Sequence, residues 1–147
     1  MILGVNLYSN SKKVTHEFNM GYGGFFSLRS QIANAFDKEF GEHYSQLLKA
    51  SCFLSGGTEA FNKKMNQILA GKRFNGKDDI LDFFFASDCE GAISYQTCKK
   101  LYDIIKDVNF QSGFQYGNFS NGTEEDWNDL KEFFLECYKA KVSARWY

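Results

Sequence analysis

Proline is absent from this chain of 147 residues, and histidine occurs only twice. Without proline, the breaks between elements depend on glycine and asparagine, so clusters of these residues mark the predicted boundaries. His16 and His43 lie far apart, and the sequence contains no Cys-x-x-Cys pair. The ligand spacing of a zinc site and a local nucleophile–base pair are both missing, so we expect no catalytic residue, no metal and no cofactor.

An excess of basic charge and long apolar runs are also missing. The 17 lysines and arginines are offset by 18 acidic residues, which argues against nucleic acid as a partner because phosphate binding requires a basic surface. No apolar run approaches the roughly 18 residues of a membrane span, and the N-terminal segment does not resemble a signal peptide. We therefore expect a cytoplasmic protein without membrane contact, whose cysteines are reduced thiols.

Aromatic side chains, by contrast, are abundant: they make up 18% of the sequence, and 16 of them are phenylalanines. The length suits a single domain over residues 1–147, with a core built largely from rings. Alternating apolar residues predict strands over Ile2–Tyr8 and Val14–Met20, joined by a loop into an antiparallel hairpin. An isolated hairpin is only marginally stable in water, so it must pack against helices.

Apolar residues at helical spacing continue along most of the remaining chain. They predict one helix over Phe25–Phe40, which Gly41 ends, and a second helix over Glu42–Phe53. The other predicted helices are a third over Thr58–Ala70, a fourth from Asp78, a fifth capped by Ser94 and a sixth from Thr123. The fold is therefore expected to be α+β and mostly helical, with the N-terminal β-hairpin packed on about six helices.

A helix, a tight acidic turn at Gly91 and a second helix capped by Ser94 are predicted for residues 78–108. Asp88, Glu90 and Gly91 in this turn match the middle of an EF-hand loop. The first and last ligand positions of that loop hold alanine and threonine here, so too few oxygen ligands remain for tight calcium binding. A degenerate EF-hand-like metal site at Asp88 and Glu90 is an alternative, and a structural corner is the favoured interpretation.

The same turn carries a resemblance. The sequence Ser87-Asp88-Cys89-Glu90-Gly91 is followed by a helix with Cys98 in its first turns and by a terminal helix that contains Cys137. In these features the second half of the chain resembles a group of small uncharacterised bacterial and phage-borne proteins. The resemblance implies a bacterial or phage origin, and it implies no activity.

A second candidate site follows the second predicted strand. Gly23 and Gly24 lie between that strand and a predicted helix whose first turn contains Arg29, which is the setting of an anion-binding turn. The dinucleotide fingerprint is incomplete, since a phenylalanine stands where its third glycine belongs. A small ligand- or anion-binding protein, or an enzyme, that uses the Gly21–Arg29 turn is therefore an alternative function.

The leading hypothesis is a non-enzymatic protein-binding module, of the kind that acts as an immunity-type or anti-defence-type inhibitor or regulator. Phe114, Tyr116 and Phe119 are interleaved with small polar residues, a composition typical of recognition loops. A run of carboxylates without a balancing base forms a second contact region, comprising Asp78, Asp79, Asp82, Asp88 and Glu90. Another protein with a basic surface is the expected partner.

Overall fold

The computed structural model describes residues 5–20, 22–48, 57–87, 89–109 and 124–147. Over these residues the chain forms one four-stranded antiparallel sheet and six α-helices, which confirms the α+β, mostly helical fold expected from the sequence. The strands are β1 (Val5–Tyr8), β2 (Phe18–Met20), β3 (Gly91–Ile93) and β4 (Ala144–Trp146). The helices are α1 (Tyr22–Phe36), α2 (Lys38–Tyr44), α3 (Gly57–Leu69), α4 (Asp78–Phe85), α5 (Tyr95–Ile105) and α6 (Glu124–Ala140). Short 3₁₀ helices cover Ser45–Leu48 and Lys72–Phe74.

The expected N-terminal hairpin is present. β1 and β2 run antiparallel, with Val5 opposite Met20 and Leu7 opposite Phe18. All four side chains are buried, because alternate residues of a strand point to the same face of the sheet. β2 begins later than the alternation predicted, so His16 lies in the connection between the strands and is partly exposed.

The other half of the sheet was not predicted from the sequence. β4, near the C-terminus, pairs with β1 on one side and with β3 on the other, so the strand order is β2-β1-β4-β3. Trp146 lies opposite both Leu7 and Gly91. The predicted turn at Gly91 is wrong: this residue belongs to β3, and a Cβ atom there would collide with the indole of Trp146. Glycine fits this position because the indole covers it.

The first predicted helix is two helices in the structure. α1 ends at Phe36, and Asp37 caps α2 by accepting a hydrogen bond from the backbone N–H of Phe40 at 2.9 Å. The prediction that Gly41 ends a helix is wrong. Gly41 lies inside α2, where an added Cβ would be 2.5 Å from the Cα of Asn34. The lack of a side chain lets α1 and α2 pack closely. The predicted helix over Glu42–Phe53 is also wrong as far as residue 48, because α2 ends at Tyr44 and a 3₁₀ helix follows. Its remaining residues, 49–53, lie outside the described ranges.

The later helices agree better with the sequence. Ser94 caps α5 as predicted, with its hydroxyl accepting from the backbone N–H of Thr97 at 3.2 Å. α6 buries the apolar stripe predicted for it, except that Tyr138 is 38% exposed. None of the helices in the described ranges is both long and apolar enough to cross a membrane.

Aromatic rings connect the sheet to the helices. Trp146 of β4 lies 5.5 Å from the ring of Phe25 in α1, and Phe18 of β2 lies 5.8 Å from the ring of Phe133 in α6. A second group of rings surrounds Phe40, which is fully buried and lies 5.3 Å from Phe84 of α4. Ring pairs at these separations add to the stability that comes from burial alone, so α4 is anchored by its inner face.

Candidate functional site

The outer side of α4 presents carboxylates next to an exposed ring. Asp78, Asp82 and Phe85 are exposed and are spaced at i, i+4 and i+7, so they share one side of the helix. We call these three residues the α4 face. Phe85 is 47% exposed, although its ring also meets Phe40 edge-on at a centroid separation of 6.0 Å. A half-exposed phenyl ring between a packed core and solvent is free to contact a partner.

The C-terminal end of α4 is held by a buried arginine. Arg29 of α1 is only 3% exposed, and its Nη1 donates to the carbonyl oxygens of Phe83, Phe84 and Ala86 at 3.2, 3.3 and 2.8 Å. The hydroxyl of Tyr44 donates to the carbonyl of Phe84 at 2.8 Å. These donors satisfy carbonyls that a helix end leaves without partners, and the positive charge suits the negative end of the helix dipole.

This arrangement bears on the anion-binding alternative. Gly23 and Gly24 lie inside α1, not in a turn before it, so the predicted turn between strand and helix is wrong. The guanidinium of Arg29 also lies over the ring of Phe25, with its central carbon 4.4 Å from the ring centroid. Because Nη1 is directed at three protein carbonyls, the geometry gives anion binding no support, and that alternative stays a prediction.

The N-terminal end of α4 is tied to α5. The carboxylate of Asp79 accepts from the ammonium of Lys100 at 2.6 Å and from the backbone N–H of Ile80 at 2.9 Å. Burial opposes ionisation of Asp79, but the hydrogen bond from Lys100 and the backbone N–H outweigh it, and the pKa of this carboxyl is lowered. Within the described ranges, no Lys or Arg forms an ion pair with Asp78 or Asp82. Of these three acids, therefore, only the two on the α4 face lack a cationic partner there.

The remaining predicted contact residues fall partly outside the described ranges. Phe114, Tyr116, Phe119 and Asp88 all do so. Glu90 is exposed just before β3. The next residue, Gly91, is part of β3, so the tight turn of an EF-hand calcium loop is not formed there.

A cavity of about 490 Å³ opens beside α4, on the side of α5. Phe36, Ile80 and Ile104 supply its apolar wall. Among its charged residues, Arg73 donates to Asp37 at 2.6 Å, and Lys100 is paired with Asp79 of α4 as described above. The cavity has no uncompensated cluster of one charge, and we assign it no ligand.

His16, in the connection between β1 and β2, meets carboxylates of α6 in a group that could hold a metal ion and that the sequence did not predict. The Nε2 atom of His16 is 3.6 Å from Oδ1 of Asp129 and 3.5 Å from Oε2 of Glu132. Its Nδ1 atom is 2.7 Å from Oε1 of Glu136. The spacing of the three acids, i, i+3 and i+7, places them along one side of a helix and could have been noticed in the sequence. Their convergence on His16 could not, because the histidine is more than a hundred residues away along the chain.

No protein-family model, curated protein or solved structure matches this chain. The assignment of function therefore depends on the geometry of the chain itself.

Proposed function

We propose that this chain is a small, non-enzymatic protein-binding module whose α4 face contacts a partner with a basic surface. The observation that carries the proposal is Phe85, a ring 47% exposed beside the carboxylates of Asp78 and Asp82. An aromatic ring bordered by charge is the usual anatomy of a contact surface: the ring is desolvated on binding, and the charges form the rim. The carboxylates would speed association with a basic partner and help to select it.

The anchoring of α4 supports this proposal. Arg29 and Tyr44 hold the C-terminal carbonyls of the helix, and the ion pair between Asp79 and Lys100 holds its first turn. A helix held at both ends loses little conformational freedom when a partner binds, so more of the contact energy appears as affinity.

A basic partner fits an immunity-type or anti-defence-type inhibitor or regulator of a bacterial or phage system, acting in the cytoplasm. Glu90, five residues after Phe85 in the chain, is one more exposed carboxylate. Asp88 and the aromatic residues Phe114, Tyr116 and Phe119 remain predicted members of the contact region.

The test begins with affinity capture from the native host, followed by purification of the captured protein and measurement of its binding by calorimetry. We expect Phe85→Ala to raise the dissociation constant at least tenfold, because a central aromatic anchor contributes disproportionately to binding. Asp78→Asn with Asp82→Asn should raise the dissociation constant and reduce its dependence on salt, because these charges favour association with a basic partner.

The matched control is Tyr138→Ala, which removes an exposed aromatic ring from α6 and should leave the affinity unchanged. The proposal fails if the captured protein is acidic. It also fails if the protein binds the Phe85 and aspartate variants as tightly as the wild-type chain.

A further inference from the structure

We propose that His16, Asp129 and Glu132 bind a divalent transition-metal ion. The imidazole nitrogen Nε2 lies 3.6 Å from the carboxylate oxygen of Asp129 and 3.5 Å from that of Glu132. All three ligand atoms lie within 4.8 Å of one another. Ligands about 2.1 Å from a tetrahedral metal are about 3.4 Å apart, so small side-chain adjustments would place an ion between them.

The orientation of the histidine favours this use of Nε2. Glu136 lies 2.7 Å from Nδ1, and its carboxylate is itself held by Thr15, whose hydroxyl donates to Oε2 at 2.9 Å and whose backbone N–H donates to Oε1 at 3.2 Å. A carboxylate at Nδ1 stabilises the tautomer with a proton there. The lone pair of Nε2 is then directed toward Asp129 and Glu132, an arrangement common among metal-binding histidines.

The charge around His16 is unbalanced. Three carboxylates surround one imidazole, and among the residues with described positions no Lys or Arg forms an ion pair with Asp129, Glu132 or Glu136. A divalent cation would offset two of these negative charges at the point where the carboxylates converge.

The ligand types select the class of metal. Imidazole nitrogen suits Zn²⁺ and similar ions, whereas Ca²⁺ and Mg²⁺ are bound mainly by oxygen. Three protein ligands leave one position of a tetrahedral ion for water. The ion would join the connection between β1 and β2 to α6, and so hold the N-terminal hairpin against the last helix.

This site does not depend on the proposed function, because it lies between the β1–β2 connection and α6 and shares no residue with the α4 face. The test is calorimetric titration of the purified chain with ZnCl₂, repeated with CaCl₂. We expect one saturable zinc site per chain and no saturable calcium binding.

Asp129→Asn with Glu132→Gln, which preserves the shape of both side chains, should weaken zinc binding at least about 100-fold. Glu136→Gln leaves the three ligands in place and should weaken it about 10- to 100-fold, because this carboxylate orients the histidine. The matched control is Glu125→Gln, which removes another exposed carboxylate from α6 and should leave zinc binding unchanged.

Far-UV circular dichroism of each variant establishes that it is folded. For the wild-type chain, zinc should also raise the thermal midpoint and a chelator should reverse the rise, whereas the double variant should not respond. The proposal is overturned if the wild-type chain shows no saturable zinc binding. It is equally overturned if the double variant keeps its affinity, since the zinc would then be bound elsewhere, for instance at the exposed thiol of Cys89.

Discussion

Arg29 is the side chain on which the position of α4 depends most directly. Its guanidinium replaces water at three carbonyl oxygens of the last helical turn and the residue after it. Two of those residues, Phe83 and Phe84, are buried, so their carbonyls have little access to solvent if the arginine is removed. A buried acceptor without a donor costs about 1–3 kcal/mol, and hydrogen bonds from a charged donor are stronger than neutral ones.

We therefore expect Arg29→Met to lower the free energy of unfolding by about 3 kcal/mol or more. Arg29→Lys should lie between this variant and the wild-type chain, because an ammonium cannot reproduce the planar fork of the guanidinium. Urea denaturation followed by circular dichroism measures both values. The control is Arg145→Met on an exposed position of β4, which should change stability by less than about 0.5 kcal/mol. An equally small effect at Arg29 would show that it does not hold α4.

Asp37 separates α1 from α2, although the spacing of the apolar residues predicted one continuous helix there. Asp37 accepts from the backbone N–H of Phe40 and from Nε of Arg73, at 2.9 and 2.6 Å. The hydrogen bond from Arg73 lowers the pKa of Asp37; burial opposes this effect, and the Phe40 N–H adds to it. The carboxylate is thus both a helix cap and the partner of an arginine from a distant 3₁₀ helix.

A carboxyl whose pKa is lowered on folding stabilises the protein above its unfolded pKa of about 4, and this contribution is lost as the pH falls through the lower folded value. Asp37→Asn keeps a capping oxygen but removes the charge. We expect this variant to be less stable than wild type at pH 7, with a difference that shrinks as the pH falls below about 4. Asp37→Ala should cost about 1 kcal/mol more, because the cap is lost as well.

Urea denaturation at pH 7, 4 and 3 measures these differences. The same series with Arg73→Gln provides the control, since Asp37→Asn should have a smaller pH-dependent effect when the arginine is absent. A difference between wild type and Asp37→Asn that stays constant down to pH 3 would contradict the pairing.

The sequence predicted those elements that are formed by interactions between residues close together in the chain. The Ser94 cap and the apolar stripe of α6 depend on residues a few positions apart, and both were confirmed. Gly91 is explained only by Trp146, and the site on α6 only by His16. Those partners are separated by dozens of residues, and a single sequence contains no local pattern that joins them. Strands of three residues, such as β3 and β4, are too short for alternation to be recognised.

The molecule as a whole is held together by one core, to which the sheet and all six described helices contribute buried residues. Cys98 of α5 and Cys137 of α6 are both completely buried within it, and their thiols are neighbours. The hydrogen bond with Cys137 and burial raise the pKa of the Cys98 thiol, so this group is unreactive in the folded protein. Cys89, by contrast, is exposed.

The reactivity of these thiols should therefore report the stability of the whole core. With N-ethylmaleimide and mass spectrometry of individual peptides, we expect Cys89 to be modified rapidly, and Cys98 and Cys137 only when α5 and α6 separate. If that separation is global unfolding, Arg29→Met should accelerate both buried sites by the same factor, roughly 100-fold for a loss of 3 kcal/mol. Modification of Cys137 much faster than Cys98 would instead show that α6 detaches alone. In that case, zinc at His16 should slow modification of Cys137 in particular, because the ion would hold α6 to the hairpin.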